Sequence, residues 1–164
     1  MADTEGHKPA LEHTTARELT REEIDEFLSG VLLARLATAK GERPHVTPVW
    51  YEWDGEYLWV SMDRSSRKYR NLKANPYCAV TIDDTLGGLR FKAVIIEGPA
   101  ELITEPKDWV LEKVKHIYTR YLGKEGILAD TPQAMLRDGD HVIARIKPER
   151  IISWDDTNGV APIG

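Results

Sequence analysis

The chain has 164 residues, of which 41% are apolar and 30% charged, and its formal net charge is -5. This length and composition are typical of one folded globular domain and unlike those of a disordered chain. The acidic balance argues against nucleic acid as a partner, because such binding needs a basic surface that displaces counterions from phosphates. We therefore expect a small-molecule ligand.

Cysteine usage and the N-terminus bear on the compartment. Cys78 is the single cysteine and has no intramolecular disulfide partner, and residues 1–13 lack the basic start and apolar core of a signal peptide. No stretch reaches the apolar length that spans a bilayer. These features favour a cytoplasmic protein without a membrane partner. We expect a tail over residues 1–18, one domain over 19–156 and a second tail over 157–164.

The first predicted element is a short amphipathic helix between Thr20 and Gly30. Thr20 and Glu23 have the spacing of a capping box, and Leu19 and Ile24 have that of a hydrophobic staple. Gly30 suits the C-terminal stop.

Segments of strand character dominate the rest of the chain. Runs rich in apolar, β-branched and aromatic residues predict strands over 31–38, 45–53, 57–62, 77–82, 91–103 and 141–146, and residues 151–154 close the ordered domain. The Asp54-Gly55 pair predicts a hairpin, and Gly98-Pro99 predicts a bend within a long strand. We expect the second and third strands to pair across that hairpin, and Gly87-Gly88 to open a loop before the long strand.

Two more helices interrupt these strands. One is predicted over residues 64–74, with serines available as caps and a terminator at Asn75-Pro76. The other runs from Thr104 to Gly123 and carries apolar residues at helical spacing. A polar loop is expected between Gly123 and the strand that starts at His141.

About six strands joined mainly by short turns are more than one flat sheet can protect in a chain of this length. A closed or split barrel removes the exposed strand edges. The pattern therefore predicts a mainly β protein, a β-barrel with flanking helices. An antiparallel α+β sandwich with its helices on one face is the alternative that the pattern leaves open.

Several common enzyme classes lack their motifs. The sequence has no G-x-G-x-x-G after a strand, no Walker loop and no G-x-S-x-G elbow. The five histidines are scattered without partners at metal-ligand spacing, so no metal site is predicted. No side chain stands out as a catalytic acid or base. The chemistry that remains is that of an organic cofactor, which the protein needs only to bind and orient.

A basic cluster follows the third predicted strand, from Ser65 to Leu72, at the start of a short helix. Its parts suit a phosphate group. A helix N-terminus offers free N–H groups, Ser66 adds a hydroxyl, Arg67 can bind two phosphate oxygens, and Lys68 adds a point charge. Taken alone, the cluster is also typical of a solvated basic helix face.

Five sequence motifs occur in an order that resembles one known family. The run S-R-K-x-x-N-L-x-x-N-P, from Ser66 to Pro76, follows a strand ending in V-S-M-D. The other four read L-L-A-R-L-A-T, R-P-H-V-T-P-V-W-Y, I-E-G-P-A-E-L and I-I-S-W-D. Over roughly residues 20–156, this set is similar to the pyridoxamine 5'-phosphate oxidase-like superfamily of FMN and deazaflavin split barrels. The resemblance implies a six-stranded antiparallel FMN-binding split barrel.

The same resemblance implies a cofactor site. FMN or the deazaflavin F420 would lie in a groove between the two subunits of a homodimer, its phosphate held by the basic cluster and its ring placed against the second strand. Further contacts would come from the end of the third strand and from an aromatic residue near the C-terminus. The implied cofactor-binding residues are Thr47, Pro48, Val49, Trp50, Ser61, Met62, Ser66, Arg67, Lys68, Asn71 and Trp154.

The function implied is that of an oxidoreductase, which transfers hydride or electrons between bound FMN or F420 and a small unsaturated or aromatic substrate. The alternative is a non-catalytic flavin- or haem-binding carrier or sensor, because a fold does not dictate a function. Relatives that oxidise pyridoxamine phosphate carry an additional C-terminal motif with arginine and histidine, which does not follow Trp154 here. Vitamin B6 oxidase activity is therefore not expected.

Overall fold

The structure, a computed structural model, describes residues 17–84 and 92–156. Within these ranges the helices are α1 (Arg21–Ser29), α2 (Arg67–Ala74), α3 (Lys107–Gly126) and α4 (Asp130–Asp138). The strands are β1 (Ala34–Lys40), β2 (Arg43–Val49), β3 (Tyr51–Trp53), β4 (Leu58–Asp63), β5 (Tyr77–Asp84), β6 (Lys92–Ile103), β7 (His141–Ile146) and β8 (Arg150–Asp155). The predicted Gly87-Gly88 loop lies outside the described residues, as do the expected tails apart from Arg17 and Glu18. No described helix is long and apolar enough to cross a membrane.

The strands form one antiparallel sheet in the order β2-β1-β5-β6-β7-β4-β3, with β8 paired to β6. The two strands at the ends of this order, β2 and β3, are consecutive in the chain and separated only by Trp50. The sheet therefore curls round on itself, which confirms the predicted mainly β barrel with flanking helices. Eight strands are present in the described ranges instead of about six.

The predicted strand 45–53 is two strands, because the chain changes partners at Trp50. Val49 lies opposite Ala34 of β1, whereas Tyr51 lies opposite Val60 of β4. The expected pairing across the Asp54-Gly55 hairpin thus holds for β3 and β4 and is wrong for β2. Side-chain alternation alone does not reveal such a change of partner, because the alternation runs through it without a break.

The predicted bend at Gly98-Pro99 is where β6 changes partners. Residues before the bend pair with β8, and residues after it pair with β7. A Cβ atom on Gly98 would lie 2.0 Å from the carbonyl oxygen of Lys147, so only glycine fits at this crossing.

The prediction of a polar loop between Gly123 and His141 is wrong, because this segment contains α4. That helix buries only Leu136, so its sequence lacks the repeating apolar face by which helices are recognised. Gly123 does interrupt α3 at the predicted end, with φ at 74°, and one further turn follows to Gly126.

Two apolar clusters hold the molecule together. One fills the barrel interior, where Leu36, Val60 and Ile146 are fully buried. The other lies between the outer face of the sheet and α3, and contains Trp59 and Ile143 together with Val110, Val114 and Ile117. Successive residues of β4 therefore point alternately into the barrel and towards α3.

The capping box of α1 is confirmed. The Thr20 hydroxyl accepts from the Glu23 amide at 3.3 Å, and the Glu23 carboxylate accepts from the Thr20 amide at 2.8 Å. Arg17 donates two further hydrogen bonds to Glu23 and one, at 3.2 Å, to the buried Asp155 of β8. The Arg17 guanidinium, followed by the capping amide, lowers the pKa of Glu23 to about 2. The N-terminal segment and α1 are thus tied to the barrel by charge.

This network predicts a specific acid sensitivity. Because the folded-state pKa of Glu23 is depressed, its contribution to stability is complete above the unfolded-state value of about 4.3 and is lost as pH falls towards about 2. We expect Glu23→Gln to lower the thermal midpoint at neutral pH, and the difference from the wild type to close on acidification. Calorimetry of both proteins across this pH range measures the difference. A constant difference would contradict the assignment.

Candidate functional site

The loop before α2 is fixed by one carboxylate. Asp63, at the end of β4, accepts at one oxygen from the Ser65 amide at 2.8 Å and the Ser65 hydroxyl at 2.5 Å, and at the other from the Asp140 amide at 3.0 Å. These hydrogen bonds lower the pKa of Asp63 and keep it ionised. Ser66 then caps α2, its hydroxyl accepting from the Tyr69 amide at 3.3 Å. The start of the helix is consequently held in one position.

Arg67 and Lys68 occupy the first turn of α2 and differ in burial. Arg67 is exposed, whereas Lys68 is half-buried, and this burial lowers the pKa of the Lys68 ammonium group against the opposing influence of Asp63. Within the described ranges neither side chain forms an ion pair or hydrogen bond with another protein group. Partial removal of the Lys68 charge from water without a partner is costly, and an anionic ligand would offset this cost.

Asn71 connects the helix to the barrel. It is buried, and its amide nitrogen donates to the hydroxyl of Thr38 in β1 at 3.0 Å. Thr38 is equally buried, so each of these polar side chains provides the other with a partner inside the protein. Asn71 therefore braces the helix that carries the basic residues.

The four residues expected beside a cofactor ring point in different directions. Val49 is buried in the barrel interior, Pro48 is exposed, and Thr47 is half-buried. The ring of Trp50 stacks on Tyr121 of α3 with 4.8 Å between ring centroids. A cofactor ring placed along this segment would therefore meet the backbone of these residues and the indole of Trp50, and not a common face of side chains.

The two expected residues of β4 also separate. Met62 lies in the barrel interior, in the same apolar cluster as Tyr69 and Leu72 of α2, so its side chain is directed away from α3. Ser61 is half-buried and lies on the outer face with Trp59 and Asp63. Because Tyr51 is opposite Val60, the register places Trp50 next to Ser61, and Asp63 follows two residues later on the same face of β4.

Tyr118 lies in the helix predicted from Thr104 to Gly123, where the sequence pattern indicates only apolar residues at helical spacing. In the structure it lies edge-on to Trp50, with 5.3 Å between ring centroids. Burial, followed by the charge of Asp63, raises the pKa of its hydroxyl. Helical spacing indicates that Tyr118 is buried but does not indicate what its hydroxyl faces. Its position next to Trp50 could therefore be found only from the structure.

Trp154 is not brought to this group within one chain. It lies opposite Ala93 in β8, on the outer face of the sheet, because the next residue of β6, Val94, points into the barrel. Within residues 17–84 and 92–156, no group of three or more potential metal ligands occurs.

Comparisons with known proteins agree with this geometry. The family model described as pyridoxamine 5'-phosphate oxidase matches residues 20–155. A conserved hypothetical protein of Mycobacterium tuberculosis is 26% identical with a TM-score of 0.71, and the match covers 93% of this chain and 95% of that one. An F420 reductase is 28% identical with a TM-score of 0.62, with 78% and 94% covered. A FAD-binding protein of Mesorhizobium loti is 23% identical with a TM-score of 0.64, with 87% and 97% covered. No curated protein matches the chain.

Proposed function

The chain belongs to the pyridoxamine 5'-phosphate oxidase family, and on this basis we propose that it is a flavin- or deazaflavin-dependent oxidoreductase. It transfers hydride or electrons between bound FMN or F420 and a small unsaturated or aromatic substrate. The similarity to an F420 reductase and a FAD-binding protein supports a cofactor of the flavin type. We place this activity in the cytoplasm, where the buried free thiol of Cys78 stays reduced.

The observation that carries the proposal is the unpartnered, half-buried Lys68 at the start of α2. A phosphate there would receive the charges of Lys68 and Arg67 and the free N–H groups of the helix N-terminus. The residues present thus fit the phosphate that FMN and F420 share. The cofactor supplies the redox chemistry when bound, whereas the protein binds its phosphate and orients its ring near Trp50 and Ser61.

We further propose that the protein is a homodimer joined through the outer face of β1, β2 and β5. Val46 and Tyr77 are 61% and 57% exposed on this face, where Ala37 lies between Val46 and Ala79. These small residues leave a trough of about 460 Å³. The lining is mostly uncharged, although it also includes Glu97, Glu149 and Arg150, and an exposed apolar surface of this kind is typical of an interface. Trp154 lies on the same outer face. In such a dimer it would therefore lie at the interface, where it could contact the cofactor of the partner subunit.

The phosphate site predicts selective loss of cofactor affinity. Arg67→Ala and Lys68→Ala each remove a charge-assisted hydrogen bond of about 1.5 to 3 kcal/mol, so we expect FMN affinity to fall by about ten- to 150-fold. Riboflavin has the same ring without a phosphate, and its affinity should not change. Lys73→Ala, an exposed lysine at the other end of α2, is the matched control. Fluorescence titration with both ligands measures the effect.

Unaltered FMN and F420 binding in both variants would refute the phosphate site. A separate measurement distinguishes an oxidoreductase from a carrier, namely steady-state turnover with reduced cofactor and a quinone or nitroaromatic acceptor. We expect turnover that falls together with cofactor affinity in the Arg67 and Lys68 variants. Cofactor binding without turnover on any acceptor would favour the carrier.

The proposed interface predicts a monomeric variant. Arg in place of Ala79 fits the open trough of one subunit, where Glu97 lies opposite it, but in a dimer its bulk fills the space against which the partner packs. We expect Ala79→Arg to convert a dimer into a monomer without lowering the thermal midpoint of the isolated barrel. Light scattering measures the mass, and Thr131→Arg, an exposed position on α4, is the control. A wild-type monomer both with and without FMN would contradict the proposal.

A further inference from the structure

Helix α3 presents two tyrosines to Trp50, and their hydroxyls differ in what they bind. The Tyr121 hydroxyl donates to the carbonyl oxygen of Leu32 at 2.6 Å and accepts from the Tyr51 amide at 3.2 Å. Tyr118 is also half-buried, but its hydroxyl has no hydrogen-bond partner in the described parts of the chain. In the described ranges Arg120 Nε is the only buried side-chain polar atom without a partner, so the Tyr118 hydroxyl is open to solvent. The Tyr118 hydroxyl is therefore available to a ligand.

The position of Tyr118 relates it to the phosphate site. Helix α3 packs on the outer face of β4, where Trp59, Ser61 and Asp63 alternate with interior residues. The charge of Asp63 acts on both the Tyr118 hydroxyl and the Lys68 ammonium group. Tyr118 on α3 and Lys68 on α2 are thus both within the electrostatic range of this carboxylate. Asp63 accepts hydrogen bonds from Ser65 and Asp140, and no hydrogen bond joins it to Tyr118 in the described residues.

We propose that Tyr118 contacts the ligand held at Lys68, donating a hydrogen bond to a carbonyl oxygen or an unprotonated ring nitrogen of its aromatic part. This rests on the proposed function, because Lys68 must hold the phosphate of the same molecule. The edge contact with Trp50 fixes the orientation of the Tyr118 ring. Burial, followed by the charge of Asp63, disfavours the phenolate, so the hydroxyl keeps its proton and remains a donor. Tyr118 therefore selects ligands whose ring presents an acceptor towards α3.

Tyr118→Phe tests the proposal, because it deletes the hydroxyl and keeps the ring contact. We expect the dissociation constants of FMN and riboflavin both to rise by about two- to tenfold, the effect of one lost hydrogen bond. The thermal midpoint should not change, since no bond within the protein is lost. This pattern differs from that of the phosphate-site variants, which affect FMN alone. Titration and calorimetry of the unliganded protein provide both readouts.

Tyr121→Phe is the matched control, one helical turn away. It leaves the Leu32 carbonyl and the Tyr51 amide without their partner, so we expect a lower thermal midpoint. A Tyr118→Phe variant with a lower midpoint and unchanged affinities would show a structural role and overturn the proposal. If the wild type binds FMN and Tyr118→Phe binds it equally well, only this inference fails. If the wild type binds neither FMN nor F420, the proposed function fails and the inference with it.

Discussion

The hydrogen bond between Asn71 and Thr38, buried where α2 meets β1, sets the position of the basic residues. Two polar side chains inside a protein are stable only while they satisfy each other, so α2 has one position on the barrel. Lys68 lies one turn before Asn71 and is therefore held in a half-buried place where its charge is disfavoured. Proteins keep such local costs where function requires them.

Helix α3 forms the opposite wall of the site and is held by a second set of charges. Glu52 of β3 accepts from Lys113 at 2.9 Å and lies 3.0 Å from the Nδ1 atom of His116. The Lys113 ammonium also lies 4.4 Å from the centroid of the Trp59 ring. Since these contacts and Tyr121 hold the helix, the Tyr118 hydroxyl is not needed to hold it, whereas the Tyr118 ring packs against Trp50. The two helices thus contribute different groups to the site. Helix α2 provides the cations, and α3 provides an aromatic surface and the Tyr118 hydroxyl as a hydrogen-bond donor.

Local patterns predicted the parts of the fold that depend on neighbouring residues. The Thr20 and Glu23 capping box, the cap at Ser66 and the bend at Gly98 each arise within a few residues of sequence, and the structure has all three. The change of partner at Trp50 depends on which strands meet across the barrel, and alternation does not encode that. The Arg67-Lys68 pair could be found because its residue types suit phosphate, but their unequal burial could not. Whether Trp154 contacts a cofactor depends on the proposed second subunit, and the sequence pattern of one chain does not reveal how two subunits pack.

The pKa of the Lys68 ammonium group, followed by NMR of lysine-labelled protein, tests the central claim most directly. In the free protein we predict a value below that of an ordinary lysine, because the charge is half-buried without a partner. On addition of FMN the value should rise, since a phosphate favours the charged form, whereas riboflavin should leave it unchanged. An ordinary pKa that does not respond to FMN would contradict the account.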